Sequence, residues 1–551
     1  MAVSDSSDRI YLEYLNELDA LERFRQRFLT AYPTVPLDRE DPHVRRLVES
    51  MAFFSVQTRA ATQHNVRSTW LRLFSAFFDF LLQPLPAVAM VQALPGDKMT
   101  ETVTLARGTE LRLSPAHGAP GTFRTRRNLR ILPIAPAGTD VVRLADGRHR
   151  LILRFESSFA RRDPVGMFSL HVRHLDEYRP SLAVFHALRQ HLKQVSVVYD
   201  APASESSQGL PCEFFLGDPP AELDDAGGYE HPLHRVRAFF QMPEQGLFLH
   251  VAVPSHRKEW SRFSLCLDLD KSWSVGRSTH PDFLVPFVVP VENLKAEPAQ
   301  PLVADGTRSE FPIRGMSAGK ALRLHSVTGV FTLGRAGRVP MRPAFLPGEG
   351  PSYELDESLD GDMRPRHSLL VSLPQAFTEP QKLLVEALWH QPDFITEAVG
   401  RISVSIPGRH VEGLDWRLVG RLEAHRDSTL RQDVAGLTRL LAWKVKSTLD
   451  RNELAALLNY LGTPVDEPFN RVLPWVRELK ATVAPDGALR GSGLLHVYEM
   501  VLEPFDSSAE PLVACFLEQI QRLLEAWNGE ASVVLRSSIA GAGAFPVKTS
   551  S

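Results

Sequence analysis

Residues 70–90 read Trp70-Leu-Arg-Leu-Phe-Ser-Ala-Phe-Phe-Asp-Phe-Leu-Leu82-Gln-Pro84-Leu-Pro86-Ala-Val-Ala-Met90, and this stretch divides the chain. Residues 70–82 are apolar on most sides of a helix, which marks a segment buried in a core or against a partner. Pro84 and Pro86 stop the helix. From about residue 88 the apolar period falls to two, the period of a half-buried strand.

Working upstream, the same helix starts at Asp41-Pro42, an Asp N-cap followed by Pro at the first helical position. Val44, Leu47, Met51 and Phe54 form its first apolar face, and a break is expected near Asn65 to Ser68. Before it, residues 8–30 place Tyr11, Tyr14, Leu15, Leu18, Leu21, Phe24 and Phe28 at helical spacing, with charges opposite. Pro33 and Pro36 end that helix. One small helical unit cannot cover this much aromatic surface alone. The next domain or a partner must cover the rest.

Working downstream, Val103-Thr-Leu-Ala, Arg150-Leu-Ile-Leu-Arg-Phe and Phe263-Ser-Leu-Cys-Leu-Asp-Leu alternate as strands between Gly and Pro punctuation. Residues 180–194 read as a short helix, and 201–228 as a loop. Further helices are expected at 428–449, 451–461 and 511–527, then a strand from Ser532. The fold class is α+β multidomain, with long N-terminal helices, β-rich sandwich- or barrel-like domains and an α+β C-terminal region. The expected divisions are 1–87 helical, 88–291 β-rich, 292–410 a second β-rich domain, 411–539 α+β, and 540–551 a disordered tail.

The length of 551 residues suits about three or four domains. A net charge of −3 excludes a globally basic nucleic-acid coat and an acidic tail. Cys212, Cys266 and Cys515 are too far apart for a CxxC pair, and no disulfide scaffold is possible. The N-terminus is not a signal peptide, and the charge-free stretch 80–96 is too broken by proline to span a bilayer. The chain reads as soluble and cytosolic.

The catalytic patterns are weak. Gly315-Met-Ser317-Ala-Gly319 fits GxSxG, but a strand-like sequence follows where the elbow needs a helix. Ser255-His-Arg-Lys258 fits SxxK without its companion motifs, and Gly319-Lys320 lacks the rest of a phosphate loop. On a strand, His171 and His174 point to opposite faces; His231 and His234 lie in a turn and could chelate, but neither pair has the HExxH form. Asp268/Asp270 and Asp224/Asp225 read as solvated or turn carboxylates. Residues 107–189 hold 15 Arg against 7 acidic residues, with Arg124, Arg126, Arg127 and Arg130 clustered. The preferred functional reading of that segment is an acidic protein partner; a solvated strand face with its charges balanced elsewhere is at least as good.

Six short matches, in order, carry a resemblance. They are Ile10-Tyr-Leu-Glu-Tyr14-Leu-Asn-Glu17-Leu18, Asp41-Pro42 through Leu47-Val-Glu49-Ser50-Met-Ala-Phe, and Leu81-Leu82-Gln-Pro84-Leu-Pro86-Ala-Val-Ala-Met. They continue with Gly108-Thr-Glu-Leu plus Phe123-Arg124-Thr125 and Leu132-Pro133, then Phe239-Phe240-Gln-Met-Pro243-Glu244-Gln-Gly-Leu-Phe248, then Asp415-Trp416-Arg417-Leu418. From about residue 10 to 420 the chain thereby resembles the TssF (VasA/ImpG) family of type VI secretion baseplate wedge subunits, as a divergent member. Ala89 replaces the family's Ser, and Asn528-Gly529-Glu530 stands where an Asn-Ser-Phe element is usual.

The resemblance implies a non-enzymatic, cofactor-free and metal-free cytoplasmic protein that reaches the inner membrane only through the assembled machine. Implied partners are a TssG-like subunit, a second TssF copy, TssK and TssE, around a spike and under a sheath, with no nucleic acid and no direct membrane insertion. The aromatic surplus of the N-terminal helices then becomes a bundle interface. Leu15, Leu18, Phe24, Phe74, Phe77 and Phe78 are the expected interface residues. The competing readings are a wedge protein of a phage-tail-like contractile particle, a serine hydrolase using Ser317, and a nucleic-acid scaffold using the Arg-rich segment.

Overall fold

The computed structural model describes residues 4–34, 41–218, 231–273, 282–316, 322–334, 337–359, 365–373, 379–408, 411–431, 433–446, 448–462, 468–485, 494–529, 532–541 and 543–545. Its helices are α1 (Ser4–Ala31), α2 (Pro42–Leu82), α3 (Tyr178–His191), α4 (Pro232–Gln241), α5 (Phe394–Glu397), α6 (Val434–Val445), α7 (Arg451–Tyr460) and α8 (Glu510–Asn528). Strands fill most of the remainder.

The start of α2 follows its sequence. The Asp41 carboxylate accepts from the His43 N–H at 2.8 Å, and Pro42 occupies the position that needs no donor. At ~1.5 Å per residue α2 is about 60 Å long. It runs unbroken through 65–68; the departure from helical angles is at Phe78 instead (φ −140°, ψ 44°).

After α2 the chain enters a six-stranded antiparallel central sheet, ordered Val399–Ser405, Glu110–His117, Gly121–Thr125, Val288–Glu292, Val88–Pro95, Leu414–Glu423. Val88–Pro95 is buried over its first six residues, as a strand covered on both faces should be. The expected divisions at 291 and 410 therefore run through one sheet, because its strands come from three distant parts of the chain, 88–125, 288–292 and 399–423. An eight-stranded antiparallel sheet, built from strands between Ala135 and Pro286, packs beside it. Leu210–Leu216 is one of its strands, pairing with Leu192–Tyr199 and Phe248–Val253 inside the stretch 201–228 expected to be loop.

Between Asn293 and Gln391 the chain leaves the hub and builds a separate distal sandwich of two sheets. Its own core holds Phe311, Leu324, Leu369, Leu383, Val385 and Trp389, apart from the large main core. The two necks are fastened together. The Gln391 N–H donates to Asn293 Oδ1 at 2.6 Å, Asn293 Nδ2 donates to the Thr122 carbonyl at 3.0 Å, and the Thr122 N–H donates to Gln391 Oε1 at 3.0 Å.

The C-terminal unit contains a parallel pair, Leu494–Leu502 with Ser532–Ile539, joined by α8 as a βαβ crossover. Gly529 ends α8 at φ 69°, where a side chain would be strained. Residues 543–545 form a strand on Ser532–Ile539, so the expected free tail at 540 is paired there; 546–551 lie outside the described residues.

Candidate protein-interaction surface

The site is built on α2, whose two halves meet different surroundings. In the lower half Leu71, Phe74, Phe78, Leu81 and Leu82 are buried in the main core. Phe78 stacks on Trp527 of α8, with centroids 5.6 Å apart and planes 5° apart. Phe74 and Phe78, expected at a partner interface, are instead core residues of this chain. The α8 helix supplies the covering surface, a contact no local period announces.

The exit of α2 is anchored through its backbone. A helix leaves its last carbonyls without partners, and the last turn of α2 holds no basic residue. Other elements supply the donors. Arg237 of α4 donates to the carbonyls of Phe80 and Gln83, Ser428 to Leu81, and Arg431 to Leu82. His325 bonds the Pro84 carbonyl and Gln241 the Pro86 carbonyl, while the N–H groups of Arg426 and Asn293 serve Leu85 and Ala87. Every carbonyl from Phe80 to Ala87 is therefore bonded. Arg237 is 2 % exposed, and burial pulls its guanidinium down to about 9.

The middle of α2 is latched to the distal sandwich. Arg72 pairs with Glu354 at 3.1 Å and Asp356 at 3.3 Å, and Ser68 donates to Asp356. Arg67 and Arg431 flank Glu357 at 3.7 and 3.4 Å. Burial raises the Glu357 carboxyl despite those two cations.

The upper half is mostly open. Leu47, Met51, Phe53 and Phe54 are exposed, Phe54 at 66 %. On α1, Tyr11, Leu12, Leu15 and Phe24 are exposed, Phe24 at 65 %. Phe77, on the outer side of the lower half, is 59 % exposed. Scattered single apolar side chains need no explanation, but a run of aromatics along two helices does. Not all of this half is open, since Ala52 and Val56 are buried, and polar groups also join the helices: Ser55 and Arg59 both donate to Glu17, at 2.8 and 3.0 Å. Between them lies a gap of about 880 Å³ lined by Leu18, Val44 and Val48, with Glu22, Arg25 and Glu49 at its edge. Of the expected interface residues, Leu15, Phe24 and Phe77 thus face outward and Leu18 lines the gap.

Most arginines of the Arg-rich segment are paired within the chain. Arg124 and Arg126 clamp Glu292 at 2.7 and 3.4 Å. Burial alone would raise that carboxyl, yet the two guanidiniums hold it below its usual value. Arg150 grips Asp268 through two bonds of 2.6 and 3.0 Å, so Asp268 is a buried ion-pair partner rather than a solvated carboxylate. Arg154, Arg161 and Arg189 pair with Asp140, Asp163 and Glu518. Most of these arginines tie neighbouring strands of one sheet together, and Arg189 ties α3 to α8, so most of the charge behind the acidic-partner reading is already paired within the chain.

The catalytic candidates are not assembled. Ser317, Gly319-Lys320 and Asp224/Asp225 lie outside the described residues. Ser255 and Lys258 lie in a loop. His171 is buried, its Nε2 on the Glu244 carbonyl, and burial lowers it to about 4. His231 is the N-cap of α4 and stacks on Phe80. Asp270 caps a turn through Ser272, which with His191 lowers its carboxyl to about 2. Among the described residues no group of three or more His, Cys, Asp or Glu is placed to hold a metal. No described helix is long and apolar enough to cross a membrane.

The fold has relatives among solved structures. A chain of the type VI secretion system TssK-TssF-TssG baseplate subcomplex, determined by cryo-electron microscopy, superposes with a TM-score of 0.69 at 17% identity. The match covers 90% of this chain and 96% of that one. A chain of the baseplate complex from the type VI secretion system gives 0.59 at 15% identity, over 97% and 98%. No curated protein matches the chain in sequence. The family model "Type VI secretion system, TssF" matches residues 6–356, well over half the chain, and the chain belongs to the TssF family.

Proposed function

We propose that this chain is a structural wedge subunit of a type VI secretion baseplate, not an enzyme, working on the cytoplasmic side of the inner membrane. The observation that carries the reading is the exposed apolar surface of α1 and upper α2 above a fully bonded base. Such a surface is unstable in water and is covered on assembly. The α1–α2 gap would receive a helix of a TssG-like subunit or of a second TssF copy against Leu18, Val44 and Val48, while the outward faces that carry Leu15, Phe24 and Phe77 would be covered by further contacts of the wedge. TssK and TssE would join the same wedge around the spike, and the sheath would grow on the ring. The distal sandwich, latched to α2 by Arg67 and Arg72, would move as one rigid body and pass displacement to the helices.

The test is co-expression with the TssG-like neighbour, followed by sizing and mass determination. A stable complex of two copies of this chain with one neighbour is expected. Leu18→Glu should abolish it while leaving a folded chain. Normal assembly by Leu18→Glu would refute the placement of the interface. A folded wild-type monomer that ignores the neighbour would refute the wedge role.

A further inference from the structure

A second cavity, of about 340 Å³, lies where the distal sandwich meets the hub. Its hub side carries Arg431 and Asp427; its sandwich side carries Arg314, Arg323, Arg366 and His390. Four guanidiniums therefore face one carboxylate, and that carboxylate is already held by His425 at 3.1 Å. Arg431 spends one nitrogen on the Leu82 carbonyl and pairs with Glu357, and Arg323 reaches Asp393 at 3.6 Å. Arg314 and Arg366 have no side-chain partner among the described residues, and both are exposed at the mouth.

His390 supplies an independent sign of a ligand. It is 3 % exposed, it lines the cavity, and neither ring nitrogen has a hydrogen-bond partner. A buried polar group without a partner is costly, so its persistence calls for an occupant that accepts its N–H. Burial, with the nearby Arg323 charge, keeps the ring neutral. It can then donate one N–H while the guanidiniums supply the charge.

We propose that this cavity binds a compact phosphate-bearing anion, clamped between Arg314 and Arg366 on the sandwich and Arg431 on the hub. Guanidinium forks match phosphate oxygens in planar pairs, which favours phosphate over a lone carboxylate. The volume suits pyrophosphate or a sugar phosphate and is small for a folded acidic segment. The bound anion bridges the two bodies and stiffens their junction.

Pyrophosphate is the probe, titrated into the full chain by calorimetry at fixed ionic strength, with melting followed in parallel. Saturable one-site binding and a rise of a few degrees in melting temperature are expected. The double variant Arg314→Gln/Arg366→Gln changes only exposed side chains, so it should fold normally and bind at least tenfold more weakly. Arg338→Gln, which removes an exposed pair with Glu386 on the same sandwich, should bind as the parent does. His390→Phe should weaken binding without raising the melting temperature of the ligand-free protein by more than the ligand does. Heat-only titrations of the parent would overturn the proposal. So would equal binding by the double variant, or an acidic peptide that binds more tightly than pyrophosphate.

Discussion

The two halves of α2 are similar in sequence and opposite in fate. Phe53 and Phe54 in the upper half are exposed, whereas Phe74 and Phe78 in the lower half are sealed against α8 and the sheets. Helical periodicity tells which side chains share a face. It does not tell what lies opposite, and here the answer comes from residues 450 positions downstream (Phe78 against Trp527, roughly). The lower half is structural because this chain covers it. The aromatic face of the upper half is available because this chain does not cover it.

That contrast can be broken by measurement. The largest effect is expected for Phe78→Ala, which opens a cavity under Trp527 and should cost about 3–5 kcal/mol in urea unfolding. Phe54→Ala should cost the isolated chain about 0.5 kcal/mol or less. Equal losses would erase the distinction between the halves.

Next in size is the backbone anchor. Arg237→Met strips donors from the Phe80 and Gln83 carbonyls and should cost about 2–4 kcal/mol. Arg59→Met, which removes the exposed pair with Glu17, should cost under about 1 kcal/mol. A reversed order would place the anchor in the wrong half.

Acid titration separates the hub from the junction. His171 is lowered to about 4 and His325 to about 3, each chiefly by burial. The folded state excludes their protons while the unfolded chain takes them up below ~6.5, so stability is full above that pH and falls below it. Each contributes a slope of about 1.4 kcal/mol per pH unit. His171→Gln should flatten the loss down to about pH 4, and His325→Gln down to about pH 3. Parallel acid limbs in parent and variants would show that neither histidine is kept neutral by the fold.

The smallest effect on stability belongs to the open surface. Phe24→Asp and Phe77→Asp should shift unfolding of the isolated chain by about 0.5 kcal/mol or less, yet weaken co-purification with the TssG-like neighbour. A large loss of stability in the isolated chain would mean that these rings are covered at home.

Much of the fold was legible. Asp41-Pro42 announced the start of α2 by capping chemistry, and the change of period near residue 88 marked the entry to the sheets. Leu512, Phe516, Ile520 and Leu523 spelled out α8, and all four are buried. What stayed hidden is non-local. Leu210–Leu216 sits in a Ser-, Gly- and Pro-rich stretch, and its strand identity comes from two neighbours in the sheet. The shared central sheet joins strands some three hundred residues apart, beyond any window of periodicity. The arginines of 107–189 looked like an outward patch because their carboxylates lie elsewhere, in Asp268, Glu292 and Glu518. The anchor from Phe80 to Ala87 left no local trace, because Arg235 and Arg237 look alike in sequence and the role of Arg237 depends on where α4 lands.

The Asn293–Gln391 neck carries one more consequence. Entry to and exit from the distal sandwich are already joined by a 2.6 Å bond between these residues. To the hub, the 97 residues between them are a cartridge plugged into a single slot. Evolution could swap such a cartridge for a larger, smaller or differently shaped one, and the hub's own strand order would not change. A graft that splices a short glycine linker across the slot should yield a foldable hub, stripped of its arm and of the latch on α2.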